Sequence, residues 1–301
     1  MNYAQLLFPD FSLIVCGYLV CRYTALNRSV WEKVESLVYF FLFPVLLFQS
    51  IVKSPLDPRA TSSLISAGLL LGLGGIAMAY ALPHLPWLRR HIDRCEHAAS
   101  AQIAFRFNSF IALALADKLA GSHGVQLIAV LIGVCVPLFN VAAVWPMARH
   151  AQRSFSGELL RNPLIIATVT GLAANLMGLS IPFWLEPTLT RIGAASIALG
   201  LMAAGAGLQF AHLAQSRTLT VSLLSIKHLL MPLLAFGLGR LMDLSPVQTA
   251  VLMAFSALPT SSSAYVLATR MGYNGAYVAG LVTLSTMLGV LSLPFALGVL
   301  R

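Results

Sequence analysis

Ala257-Leu258-Pro259-Thr260-Ser261-Ser262-Ser263-Ala264 sets a proline and four consecutive hydroxyl residues in the middle of an apolar stretch, residues 247–269, that hydropathy otherwise assigns to one membrane-spanning helix. Proline removes a backbone donor and crowds the carbonyl four residues back. In hydrocarbon every polar group freed in this way must find a partner inside protein or water. The stretch therefore predicts an interrupted helix in a protein interior. A half-helix restarting at Thr260 would present unpaired amides near the bilayer centre, a setting suited to an anion.

The rest of the chain supplies the membrane context. Of its 301 residues 58% are hydrophobic and 10% charged, and the mean hydropathy is +0.83. Such a composition excludes an ordinary soluble globule. Stretches of about 20 apolar residues, enough to span the hydrocarbon core, recur ten times, at 6–25, 34–53, 63–83, 97–119, 125–147, 163–183, 190–211, 219–241, 247–269 and 275–299. The first has no basic residue among Met1 to Gln5 and no small-residue cleavage site, so it reads as an uncleaved helix. Cys16, Cys21, Cys95 and Cys135 show neither metal-ligand spacing nor a disulfide framework. No cofactor is expected.

Lysine and arginine set the orientation. Eleven of them, among them Arg28, Arg89, Arg149, Arg161 and Arg270, fall in connections after odd-numbered spans, against six on the opposite face. The positive-inside rule then puts both termini outside and the 149–162 connection in the cytoplasm, in a multi-pass protein of the cell inner membrane. The net charge of +9 is mostly this topology signal. With no basic domain to hold it, a nucleic-acid partner is not expected.

Ten spans divide into two sets of five at the basic connection: 1–148, a linker at 149–162, and 163–301. Five is odd, so the halves insert with opposite topology, as in many secondary transporters with discontinuous helices at matching places. Pro9 and Gly17 have counterparts in Pro163 and Gly171, and a shift of 151 residues sets Asn108 against Pro259. The second halves of the fourth and ninth spans would then start at the midplane and aim their amide ends at one centre.

Several motifs, in order along the whole chain, carry a resemblance: Leu37-Val-Tyr-Phe-Phe-Leu-Phe-Pro44-Val-Leu-Leu-Phe48, Asn108-Ser-Phe-Ile-Ala-Leu, Val136-Pro-Leu-Phe-Asn140-Val, Arg161-Asn-Pro163-Leu-Ile-Ile, Ala257-Leu-Pro259-Thr260 with Gly272, and Leu284-Ser-Thr286. The chain resembles the auxin efflux carrier family, which includes plant auxin carriers and bacterial organic-acid carriers. The resemblance implies an all-α integral membrane fold of ten helices, a five-plus-five inverted repeat similar to bile acid sodium symporters. It implies broken helices 4 and 9 crossing at the substrate site, with Asn108, Pro259 and Thr260 at the crossover. The chain departs from the pattern at Leu113-Ala114-Leu115, where the family often has Gly-x-Pro, and at Phe107, where plant carriers have proline. Its short 149–162 connection fits a bacterial-type carrier.

Two charges lie inside spans. An arginine in a span core costs roughly 2.5–3.5 kcal/mol on insertion scales, so Arg106 faces a partner or a wet cavity. It could clamp a carboxylate, or pair structurally, or snorkel. On an intact helix Arg106 and Asn108 would point about 200° apart, so either the helix is broken there or the two serve different surfaces. Lys227 and His228 read as packing against a polar face or as carriers of a coupled proton. Asn140, Asn175, Gln49 and Gln209 read as bridges between helices, Pro44 as a kink, and the glycines of 68–75 and 193–207 as sites of close packing. No Asp or Glu occupies the middle of any expected span.

These readings converge on a secondary transporter of small organic anions, mono- or dicarboxylates, working by alternating access around the crossover. The substrate-binding set is Asn108, Pro259, Thr260, Ser261 and Arg106, with Lys227 and His228 as coupling candidates. Efflux is the expected direction, because an anion leaving an inside-negative cell gains roughly 2.3 kcal/mol per 100 mV. A proton- or sodium-coupled importer is the alternative, and an anion channel or membrane sensor the alternative of another class. The expected partners are the substrate and membrane lipid, with a homodimer as an option. An enzyme is not expected, since no aspartate-rich metal motif, zinc pattern or paired nucleophile and base appears.

Overall fold

The computed structural model describes residues 3–53, 62–150, 163–207, 216–261 and 263–298, and no strand occurs among them. The basic linker beyond residue 150, with Arg153 and Arg161, lies outside the described residues, as do Gln209 and both chain ends. The helices in order are α1 (Tyr3–Tyr23), α2 (Arg28–Leu37), α3 (Phe43–Val52), α4 (Ser62–Ala81), α5 (Arg94–Ser100), α6 (Ser109–His150), α7 (Pro163–Leu176), α8 (Glu186–Ala206), α9 (Arg217–Ser225), α10 (Met231–Leu241), α11 (Pro246–Ala257), α12 (Ser263–Arg270) and α13 (Gly275–Gly298). Among the described residues four helical segments are long and apolar enough to cross a bilayer unaided: Ser62–His84, Leu127–Arg149, Arg217–Leu241 and Gly275–Gly298. The expected fourth and ninth spans are absent from that set because each is broken into shorter helices.

Local chemistry accounts for the starts and bends. Asn27 caps α2 by accepting from the Ser29 amide at 3.1 Å, and Ser245 with Gln248 forms a reciprocal capping box at α11. Pro44 and Pro232 each follow a π-helical turn, at Val38–Leu42 and Ile226–Leu230. In each case the residue before the proline donates to the carbonyl five back, Phe43 to Val38 and Met231 to Ile226. Widening one turn absorbs the missing donor and the crowding by the proline ring. The kink expected at Pro44 takes that form. The long α6 contains a sharp bend, where Gly121 at φ 59° and Ala120 leave helical geometry. The positive φ suits glycine, and the bend separates the expected fourth and fifth spans.

The helices pack in two groups, each drawing on both halves of the chain. In one, α1 lies on α8, and α3 on α7 and α8; in the other, α4, α6, α10, α11 and α13 pack around one another. Most of the buried apolar core belongs to the second group. Gly17 lies directly against the Met202 backbone and Gly205 against that of Ile14, so α1 and α8 meet without side chains between them. Asn175 Nδ2 donates to the Ile51 carbonyl at 2.8 Å and the Val52 carbonyl at 3.1 Å, bridging α7 to α3 as its amide suggested. Between the groups α6 packs on α7, and longer side chains also reach across. Tyr265 of α12 donates its hydroxyl to Glu35 and accepts from Arg28 Nη2 at 2.5 Å, both on α2. At the other end of α12, Arg270 sits over the Phe40 ring, 5.0 Å from its centroid.

Candidate functional site

Two interruptions meet in the second group. In the first, α5 tightens into a 3-10 turn at Ala101–Ala104, the chain leaves helical form over residues 105–108, and α6 restarts at Ser109. In the second, α11 ends at Ala257, Leu258 turns extended with ψ 140°, and α12 begins at Ser263. The backbone groups these breaks release satisfy one another. The Asn108 amide donates to the Pro259 carbonyl at 2.9 Å, and Thr260 Oγ1 donates to the Ile103 carbonyl at 2.8 Å. The Thr260 amide donates to Ser285 Oγ of α13 at 3.0 Å. Gly289, one turn further along α13, leaves room for the Pro259 ring, since a Cβ there would stand 3.3 Å from Pro259 Cβ.

Each restarting helix begins on a polar cap. Asn108 Oδ1 accepts from the Ile111 amide at 3.3 Å and its carbonyl from the Ala112 amide at 3.1 Å. Ser261 Oγ accepts from the Ser263 amide at 3.3 Å, and its carbonyl from the Ala264 amide at 3.1 Å. The starts of both helices, Ser109 and Ser263, line one partly open cavity together with Ser261, Arg106, Asn140, Phe43, Phe107, Val136 and Phe139. Phe43 is the contribution of the first group, so the cavity lies where the two groups face each other.

Arg106 is 5% exposed. Its Nη1 donates to Gln102 Oε1 at 3.0 Å and its Nη2 to Asn140 Oδ1 at 2.9 Å. Gln102 Nε2 donates in turn to the carbonyls of Ala99 at 2.8 Å and Ala264 at 3.1 Å, joining the first interruption to α12. Among the described residues the lining holds one cation, two helix amino ends and several hydroxyls, and no carboxylate. Partial positive charge at helix starts adds to that of the guanidinium. Chemically the arrangement suits a small oxyanion against a partly aromatic wall.

Of the residues singled out in the sequence, Arg106 and Ser261 line the cavity, whereas Asn108, Pro259 and Thr260 stand directly behind it as its buried backing. Lys227 and His228 lie outside it, in the π-helical turn before α10. His228 is hydrogen-bonded through Nε2 to Ser285 Oγ at 2.9 Å and through Nδ1 to Ser292 Oγ at 2.8 Å. Ser285 Oγ also pairs with Thr260 Oγ1 at 3.1 Å, so a chain of hydrogen bonds runs from His228 to the interruption. Gln102, Ser109 and Phe43 were not singled out. Gln102 stands four residues before Arg106, a spacing that brings side chains together on a helix, and was legible on that ground. Asn140, read as a bridging amide, does bridge, and it faces the cavity as well.

A family model described as membrane transport protein matches residues 89–297. A relative named "Putative malonate transporter", from Rhizobium meliloti (strain 1021), is 23% identical over 315 aligned residues, covering 98% of this chain and 95% of the relative. The match takes in both interruptions and every residue of the cavity except Phe43. The chain belongs to the auxin efflux carrier family of membrane transport proteins, and it is a transporter, not an enzyme.

Proposed function

We propose that this chain is a secondary carrier of small organic anions, mono- or dicarboxylates, exporting them by alternating access. The observation that carries the reading is the convergence of Arg106 and the amino ends of α6 and α12 on one cavity whose lining, among the described residues, has no acid. Arg106 would supply the charge and Ser261 a hydroxyl. Asn108, Pro259 and Thr260 would hold the two helix starts in place. The relative's printed name supports a dicarboxylate such as malonate as cargo.

The same reading takes the architecture as ten spans in a five-plus-five inverted repeat, 1–148 and 163–301, with the fourth and ninth crossing at the cavity. It is supported by two packing groups that each combine both halves of the chain, and by the bond between Asn108 and Pro259. The distribution of arginines supports an inner-membrane protein with both termini on the periplasmic side. A homodimer stays within the reading. The bonded chain from His228 to Thr260 favours the second reading, an importer coupled to protons, because a histidine linked through Ser285 to the broken helix could pass a protonation change to it.

The deciding experiment offers purified protein in liposomes a panel of labelled organic acids under imposed potential, pH and sodium gradients. Potential-driven movement of a carboxylate without a coupled ion is the expected result. Uptake that requires a proton or sodium gradient would replace the first reading with the second. Single-channel currents, or no movement of any acid, would remove both.

A further inference from the structure

Two neutral amides hold the buried cation of the cavity. Gln102 Oε1 and Asn140 Oδ1 receive its two terminal nitrogens at 3.0 Å and 2.9 Å. Among the described residues the ion pairs use Arg28 and Lys53, and no carboxylate pairs with Arg106. A buried guanidinium with a purely structural task is usually matched by an acid, because an unmatched buried charge is strongly unfavourable. An amide oxygen does something different: it aligns the planar fork and leaves the charge in place. Gln102 is itself fixed by its bonds to the Ala99 and Ala264 carbonyls, which orient its oxygen toward Arg106. The guanidinium has five N–H donors, more than two amide oxygens engage.

We propose that Gln102 and Asn140 are positioning residues that set the charge of the site: they aim Arg106 at the cavity without discharging it, so that a carboxylate of the cargo becomes its counter-ion. The inference rests on the carrier reading above and deepens it. It makes anion selectivity depend on two side chains that need not touch the anion. A glutamate at position 102, nearly the same shape, would supply the counter-ion from within and displace the cargo.

The test uses the full-length protein in liposomes, with labelled malonate as probe and Gln102→Glu and Asn140→Asp as variants. Malonate KM is expected to rise roughly tenfold to a hundredfold in each; Gln102→Glu also loses the amide donor that serves the Ala99 and Ala264 carbonyls, so its melting temperature in detergent falls even as Arg106 gains an internal partner. A glutamine with a structural task alone predicts the same fall in melting temperature with unchanged KM. A folded Gln102→Glu protein with KM within twofold of wild type therefore overturns the inference, and if that variant does not fold, Asn140→Asp decides in the same way. Transport that falls in Arg106→Gln but not in these variants removes this inference and leaves the carrier reading standing. A wild-type protein inert to malonate and to every acid of the panel removes the carrier reading and this inference with it.

Discussion

Replacing Arg106 by glutamine removes the charge of the cavity while keeping a side chain able to reach one of its two amide partners. At about 4 Å and an effective dielectric near 20, a unit charge pair interacts by about 4 kcal/mol. A hydrogen bond to a charged group nets about 1.5–3 kcal/mol once water is exchanged. Carboxylate and guanidinium both lose solvation on meeting, so the lower range applies, and a loss of about 2–3 kcal/mol corresponds to binding weakened about 30- to 150-fold. Stability changes less, because glutamine can still donate to Gln102 Oε1 or Asn140 Oδ1, which now receive Arg106 at 3.0 Å and 2.9 Å, and a buried charge is removed. Arg106→Lys should fall between the two, retaining charge and losing the fork. The assay is equilibrium binding of labelled malonate to purified protein, alongside thermal melting. Affinity within threefold of wild type in a stable Arg106→Gln protein would refute the placement of the anion at this guanidinium.

Tyr265→Phe keeps the ring beneath Arg28 and deletes only the hydroxyl that joins α12 to Glu35 and Arg28. Amide hydrogen exchange in α12 should quicken by roughly tenfold or more; unchanged protection would show that this contact does not hold the two groups together. Thr260→Val strips the donor from the buried Ile103 carbonyl and should lower stability by about 1–3 kcal/mol in denaturation, whereas Ser261→Ala removes both the cap of α12 and a cavity hydroxyl, and should raise malonate KM as well as lower stability by about 0.5–2 kcal/mol. Equal melting of Thr260→Val and wild type would mean that the interruption is held by other bonds.

The break at Pro259 was legible because proline and a run of hydroxyls are local signals, and so were the close-packing glycines and the bridging role of Asn175. The first interruption was harder to read. Residues 101–108 contain no proline and no glycine, and their departure from helix is stabilised by partners far along the chain, Pro259 and Thr260. The 200° separation of Arg106 and Asn108 on an ideal helix left two options, and both hold: the segment is not helical, and the two side chains serve different surfaces, Arg106 the cavity and Asn108 the cap of α6. The support of Arg106 by Asn140 spans 34 residues and that of Ala264 by Gln102 spans 162. Such pairings follow from packing and leave no periodic trace. Thr260 shows the same long reach: its amide bonds to Ser285 and its hydroxyl to the Ile103 carbonyl, partners that its residue type does not name.

The contrast between the glycine contacts of α1 with α8 and the long side chains at Tyr265, Arg28 and Arg270 has a mechanical consequence. Helices whose backbones touch at Gly17 and Gly205 have no room there for a Cβ, so sliding a neighbouring side chain into either position would press it on the facing main chain. Side chains several bonds long can instead release at their tips and re-form elsewhere without disturbing the helices that bear them. The α1–α8 pair is thus held by its backbones, whereas α12 is held to α2 and to Phe40 by side-chain tips, and Phe43 and Arg106, one from each group, both line the cavity.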